Sequence, residues 1–250
     1  MRMPHIPPLD RVLVVEEIDS TNEEARRAAE SGDAGNLWIL ARTQTAGRGR
    51  RGRDWVSPRG NFHGSLLLRP NVSPARAAML SFAAANAVAE SFEALGARAV
   101  QVKWPNDVLI GGAKAAGILL ESSARNAAAV DWLIIGIGMN LNEAPKGTPY
   151  PATSLKEQTG RSALPEDALA IVAGAFAAQY ERWQREGFAP VRADWLTRAA
   201  FLGERIVARL ENESVEGVFA DLSEDGALLL DTALGRRSIT AGEVFRARID

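Results

Sequence analysis

The side chains best suited to chemistry crowd into two short stretches. The first, "QTAGRGRRGRDW" (44–55), sets Arg48, Arg50, Arg51 and Arg53 among Gly47, Gly49 and Gly52. A guanidinium offers a planar fork to phosphate or carboxylate. Interleaved glycines let backbone N–H groups approach the same anion without a Cβ in the way. The second, "VKWPNDVLIGGAKAAGILLES" (102–122), carries Lys103 and Lys114 around Asn106 and Asp107. These are two of only four lysines among 29 basic residues. A compact ammonium suits a phosphate site, and Pro105 makes the turn between Lys103 and Asp107 rigid. By itself the arginine stretch admits three readings: a nucleic-acid contact, a solvated loop, or a clamp that closes on a small anion.

The rest of the chain narrows these readings. A net charge of −2 over 250 residues argues against a broad nucleic-acid-binding surface. Cysteine is absent, which removes disulfides, thiolate-held zinc, iron–sulfur clusters and a thiol nucleophile. His5 and His63 are too few for a histidine metal site, so any metal is expected to be Mg²⁺ held through oxygens. "GIGMNL" (136–141) lacks the third glycine of a dinucleotide fingerprint, and neither a phosphate loop nor a GxSxG nucleophile is present. An enzyme with this inventory works by positioning and charge. No apolar run is long enough to cross a bilayer, and "MRMPHIPPLD" lacks the apolar centre of a secretory signal. The expected location is the cytoplasm.

The elements that must position these residues follow from pattern. "VLVVEEI" (12–18), "NLWILART" (36–43) and "NFHGSLLLRP" (61–70) read as strands. Between the first two lies a helix capped by Ser20 or Thr21 and ended by Gly32. Residues 44–60 carry no periodic pattern, and so long a loop inside a domain suits a lid. Ser73–Pro74 opens a helix running to Gly96. A β-rich stretch follows, with turns at Pro105, Gly111–Gly112 and Arg125–Asn126, and its Trp132–Ile137 run is apolar enough for a strand buried on both faces. Helices are expected over 154–159, 165–186 and 190–200. Past Gly203 come four short alternating strands, "ERIVARLE", "SVEGVFADL", "GALLLDT" and "RRSIT", the pattern of a small SH3-like β-barrel. The expected fold is α/β (α+β), a mixed sheet with flanking helices over 1–202, with the barrel over 203–250.

GRGRRG, then KWPND followed by K-x-x-G-I-L-x-E, then GIGMN resemble in this order the biotin–protein ligases, and the likeness runs from "DSTN" (19–22) to "DGALLLD". The resemblance implies a catalytic domain like that of class II aminoacyl-tRNA synthetases followed by an SH3-like domain. It also implies biotin and ATP as substrates with Mg²⁺, a biotinyl-5′-AMP intermediate, and a lysine of a biotin carboxyl carrier domain as acceptor. Carried over by position, Ser20, Thr21 and Gln44 resemble the set that bonds the biotin ureido ring. Gly47 and Arg48 match backbone contacts to biotin, and Gly117 leaves room for its bicycle. Arg50 matches a holder of the carboxylate or α-phosphate, and Lys114 the essential lysine there, with Lys103 as a further catalytic charge. Arg51, Trp55, Asn106, Asp107 and Asn140 fall on the ATP side, Trp55 over the adenine, Asn140 at its edge and Asp107 toward the metal. "NFHGS" departs from the family, with His63–Gly64 where larger apolar or aromatic residues are usual.

Other readings predict other features. A lipoate ligase of the same superfamily is not expected to carry GRGRRG beside KWPND. A biotin-responsive regulator needs a DNA-binding domain, and only 11 residues precede the first strand. The expected form is therefore monofunctional, without nucleic-acid binding. A biotin binder without catalysis has no use for the paired lysines. The homodimer remains open. Residues 47–55 are expected to order on ligand binding, since close guanidiniums repel until an anion lies among them.

Overall fold

The computed structural model describes residues 11–124, 129–148 and 150–247. The N-terminal ten residues, with His5, and the turn expected at Arg125–Asn126 lie outside the described residues. The larger sheet contains β1 (Val12–Ile18), β2 (Leu37–Gln44), β3 (Phe62–Leu68), β4 (Val100–Lys103), β5 (Asp107–Ile110), β6 (Ala113–Ala124) and β7 (Val130–Met139). Its order is β1-β2-β3-β7-β6-β5-β4. Only β1 and β2 run parallel, joined by the crossover helix α1 (Thr21–Glu30). The other neighbours pair antiparallel.

Register matters more than order here. Cross-strand partners share a face of a sheet, and so do residues two apart on one strand. Ala41, His63, Gly138, Gly117, Asp107 and Lys103 form one transverse row across β2, β3, β7, β6, β5 and β4. Two residues along, Ile39, Ser65, Gly136 and Leu119 form the next. Three glycines thus lie together in mid-sheet, where β-branched residues are the norm. They leave a trough in an otherwise filled face.

The opposite face takes the main core. The helix expected over 73–96 is bent at Met79 into α2 (Pro74–Ala78) and α3 (Leu80–Ala94). The alanine-rich α3 is buried nearly all round, against the sheet and against α5 (Pro165–Glu186) and α6 (Phe188–Thr197). On the trough side, Ala25 and Ala29 of α1 cover Ile39, Leu67, Trp132 and Ile134. That layer stops short of the trough.

The C-terminal sheet comprises β8 (Arg205–Arg209), β9 (Ser214–Leu222), β10 (Leu228–Thr232), β11 (Gly235–Ile239) and β12 (Glu243–Arg246), in the antiparallel order β11-β10-β9-β8-β12. The layout accords with an SH3-like domain, although among the described residues the hydrogen-bonded order stays open between β11 and β12. The expected boundary at 202 falls between α6 and β8. Pattern reading missed β12, whose four residues include one buried side chain, Val244. The two sheets share a continuous core: Trp104 Nε1 donates to the Gly226 carbonyl at 3.2 Å, and Trp195 packs between Phe82 and Phe219.

Candidate functional site

A cleft of about 190 Å³ opens over the glycine trough. Its lining includes Ser20, Thr21, Gln44, Arg48, Arg50, Trp55, Asn106, Lys114, Gly117 and Asn140. Ten of the positions singled out by sequence thus meet in one cavity. They sort by charge along it.

The end beneath α1 is neutral and polar. The Thr21 backbone N–H, exposed at the helix N-terminus, donates to Gln44 Oε1 at 2.8 Å, and Thr21 Oγ1 donates to the same oxygen at 3.1 Å. Gln44 Nε2 donates to Ser57 Oγ at 2.8 Å. Ser65 Oγ reaches Thr21 Oγ1 at 2.7 Å and Asn22 Oδ1 at 2.6 Å. Ser20, Thr21, Asn22 and Ser65 are all buried. Such a network holds several polar groups in fixed directions without net charge. Ser65 and Ser57 were not anticipated, although a serine within the apolar run of β3 was a usable signal.

The floor is glycine. A Cβ at Gly136 would overlap the Asn22 carboxamide, and one at Gly138 would fall inside the Trp55 indole. At Gly117 it would lie 3.1 Å from the same ring. Trp55 therefore lies flat along Gly117 and Gly138, and Lys114 Nζ sits 5.5 Å from its ring centre.

The far end is cationic. Lys114 Nζ lies 2.6 Å from Asp107 Oδ1, and Lys103 Nζ 3.8 Å from Asp107 Oδ2. Burial pushes the Lys103 ammonium below its usual pKa, partly offset by Asp107. It lies 5.4 and 5.5 Å from the centres of the Tyr150 and Phe245 rings, which pack against each other, and stands beside the cleft rather than lining it. Asn106 Nδ2 donates to the Ile118 carbonyl at 2.7 Å, which leaves its Oδ1 to accept from Arg50 Nη1 at 3.2 Å. Burial, then the neighbouring Arg51 charge, lowers the Arg50 pKa.

The arginine loop is more structured than its sequence suggested. Arg50–Gly52 make a single 3₁₀ turn, Gly49 N–H donates to the Arg53 carbonyl at 2.6 Å, and Trp55 N–H to the Gly47 carbonyl at 2.9 Å. Gly47 is required by close approach, since a Cβ there would meet the Trp55 carbonyl at 2.5 Å. The arginines do not simply repel one another. Arg48 pairs with Glu23 of α1 and with Glu121 of β6, the latter at 3.2 Å, and Asn22 Nδ2 steadies Glu121 at 2.7 Å. Arg53 pairs with Glu243 of β12 at 2.5 Å, and Tyr150 Oη donates to the same carboxylate at 3.0 Å. Carboxylates supply the counter-charge that the sequence reading reserved for a ligand. Arg50 meets the Asn106 amide oxygen instead, and Arg51 differs again. It is exposed, adopts φ of 56°, and stays out of the cleft lining.

Asn140 is buried, donating its side-chain amide to the Thr153 carbonyl at 3.0 Å. Both oxygens of Asp107 face lysines, and the described residues hold no cluster of three His, Asp or Glu able to cage a metal. This donor set does not fit a magnesium ion held by the protein alone.

The chain was compared with known proteins. Residues 14–140 match the model of the Biotin/lipoate A/B protein ligase family, and 201–246 that of the Biotin protein ligase C terminal domain. The chain is 47% identical over 241 residues to a biotin–[acetyl-CoA-carboxylase] ligase of Paracoccus denitrificans, covering 91% of this chain and 97% of that one. It is 33% identical to a bifunctional ligase/repressor of Bacillus subtilis, covering 91% and 71%. Among solved structures, the biotin protein ligase of Aquifex aeolicus in complex with biotin and ATP superposes with a TM-score of 0.82 at 30% identity, covering 96% of this chain and all of that one. A Leishmania major ligase in complex with biotinyl-5-AMP gives 0.63 at 26%, covering 94% and all of it.

Proposed function

The chain belongs to the biotin/lipoate A/B protein ligase family, and we propose that it joins biotin to a lysine of an acceptor protein in two steps, the first of which consumes ATP. The observation that carries this reading is the order of the cleft: neutral hydrogen-bonding groups, an apolar stretch where the Trp55 indole lies on the glycine floor, then lysine and arginine. Biotin has the same order, a neutral ureido ring, an apolar bicycle and a chain ending in carboxylate. The C-terminal match favours biotin over lipoate, since that model describes a domain of biotin protein ligases.

In the first step a biotin carboxylate oxygen bonds to the α-phosphorus of ATP, and the bond from that phosphorus to the bridging oxygen breaks, releasing pyrophosphate. Two anions must be brought together, so the requirement is dense, fixed positive charge. Lys114, held by Asp107 and pointed over Gly117, is assigned to the reacting carboxylate and phosphate. Arg50, braced by Asn106, is assigned to the same anions from the lid side. Lys103 adds charge from beside the cleft. In the second step the acceptor amine attacks the anhydride carbonyl, an amide forms, AMP leaves and the amine proton is lost. Magnesium would enter with the nucleotide phosphates, supplying charge neutralisation there.

Ser20, Thr21 and Gln44 are assigned to the ureido group, with the backbone of Gly47 and Arg48 beside biotin. Trp55, Asn106, Asp107 and Asn140 are assigned to the nucleotide side. Arg51 joins them only if the loop shifts. The acceptor class is the carrier domain of a biotin-dependent carboxylase, and the working location in this reading is the cytoplasm; no helix among the described residues is long and apolar enough to cross a membrane. Incubation with biotin, ATP and a purified carrier domain tests the whole reading. Pyrophosphate release followed by a biotinylated carrier is expected. Release with lipoate and none with biotin would transfer the chain to the other branch of the family.

A further inference from the structure

His63 and Trp55 each bury a polar atom without a partner, and both flank Gly138. The His63 ring is 2% exposed, and its Nε2 lies 3.0 Å from the Pro58 carbonyl. A carbonyl oxygen only accepts, so Nε2 carries the proton. Burial lowers the imidazole pKa, which favours the neutral ring. Nδ1 is then a bare acceptor, and it has no partner. Trp55 Nε1–H is a donor only, and it too is buried without a partner.

The sheet register places these two atoms on a common line. His63, Gly138 and Gly117 are successive members of the row across β3, β7 and β6. The Trp55 ring lies along that row: Cζ3, on its six-membered ring, is nearest Gly117, while Cε2 and Nε1 lie over Gly138. The indole N–H edge is thus on the His63 side. A buried polar atom left unbonded costs about 1–3 kcal/mol, and here an unbonded donor lies over the cross-strand partner of the residue that carries the unbonded acceptor.

We propose that His63 is a positioning residue for the arginine loop, its Nδ1 accepting the indole N–H of Trp55 when the loop settles over bound biotinyl-5′-AMP. This rests on the reading of residues 44–60 as a lid. It gives the departure at His63 a purpose: an aliphatic residue at this strand position could not accept from the indole. The bond joins the lid to the central sheet rather than to substrate, so His63 acts through Trp55 on retention of the intermediate.

Two substitutions separate the ring nitrogens. Asparagine places a polar atom where Nδ1 stands, and glutamine places one where Nε2 stands. In the wild type, loading with biotinyl-5′-AMP should shift the Trp55 indole N–H resonance downfield and slow its exchange. His63→Asn should keep that shift, and His63→Gln should lose it. His63→Gln and Trp55→Phe should each speed escape of biotinyl-5′-AMP roughly fivefold, the weight of one neutral hydrogen bond. The double variant should add nothing further. Trp55→Phe keeps the aromatic ring on the glycine floor, so it stands as a probe if a His63 variant folds poorly. An indole resonance that ignores the ligand while the amides of 47–55 gain protection would overturn the latch and leave the lid standing. Additive effects in the double variant would overturn it equally. Loop amides that gain no protection in the wild type remove lid and latch together.

Discussion

The hairpin 103–117 and the arginine loop 44–60 turn positive charge into the same cleft, and they are held there by different forces. In the hairpin, strand register does the holding: Lys103 pairs with Asp107 across β4 and β5, Asp107 with Gly117 across β5 and β6, and Lys114 returns to Asp107. In the loop, side-chain ion pairs do it, from Arg48 to Glu23 and Glu121 and from Arg53 to Glu243. In both regions a carboxylate shares the charge, so an incoming anion competes for it. The hairpin's partners are fixed together on paired strands, whereas the loop's carboxylates come from three separate elements. Hairpin lesions should therefore slow the chemistry, while loop lesions should release what the chemistry makes.

The sharpest test of the hairpin is Lys114→Ala. Loss of one preorganised electrostatic donor costs on the order of 3–4 kcal/mol, about two to three powers of ten in rate. Because that contact strengthens as charge builds on phosphorus, kcat for adenylate synthesis should fall more than KM rises. Lys114→Arg should rescue only partly, since a planar fork does not replace a point charge between two anions. Single-turnover formation of biotinyl-5′-AMP, measured apart from transfer, checks this. Near-normal synthesis by Lys114→Ala would shift the essential charge to Lys103 or to the loop.

For the loop the corresponding change is Arg50→Gly. Hydrogen bonds to charged groups contribute about 1.5–3 kcal/mol, so biotinyl-5′-AMP should dissociate roughly tenfold to a hundredfold faster. Activated biotin would then label lysines of unrelated proteins in solution. Dissociation at the wild-type rate would place Arg50 away from the inner face of the lid, and the proposed division between rate and retention would fail.

The same contrast explains what could be read in the sequence. Lys103, Asp107, Lys114 and Gly117 lie within one hairpin, where a proline and a diglycine set the spacing, so their convergence follows from local rules. The loop arginines were equally visible, but their partners were not. Glu23, Glu121 and Glu243 come from a helix, a strand and the C-terminal sheet, and each reads in isolation as an ordinary solvated glutamate. The transverse row was also hidden. His63, Gly138 and Gly117 become neighbours only through strand pairings distant in sequence, which no periodicity encodes. The loop's internal turn was missed because Arg51 supplies a left-handed φ that pattern reading assigns to glycine.

A smaller effect is expected where the C-terminal sheet touches the loop. Glu243→Gln keeps the shape but removes the charge opposite Arg53 and Tyr150. Arg53 is 48% exposed, and exposed pairs contribute about 0.2–1 kcal/mol. Hydrogen exchange across 47–55 in the ligand-free protein should accelerate roughly twofold to fivefold, with adenylate synthesis changing less. Unchanged exchange would mean that the backbone bonds of the loop and the Arg48 pairs suffice to hold it.

The smallest effect is expected at Lys156, and it guards the comparison against a trivial explanation. Lys114→Ala also lowers the net positive charge by one, so a general loss of attraction for anionic substrates could imitate loss of a specific contact. Lys156 in α4 (Leu155–Thr159) carries the same charge, but it is exposed and does not line the cleft. Water and salt screen such a charge within about 8–10 Å, and alanine is at least as good a helix former as lysine. Lys156→Ala should therefore synthesise biotinyl-5′-AMP within about a factor of two of wild type, a change below the ~0.5 kcal/mol typical of neutral surface substitutions. A tenfold loss there would show that net charge rather than placement drives the first step. The row of fixed charges across the sheet would then no longer be needed to explain the rate.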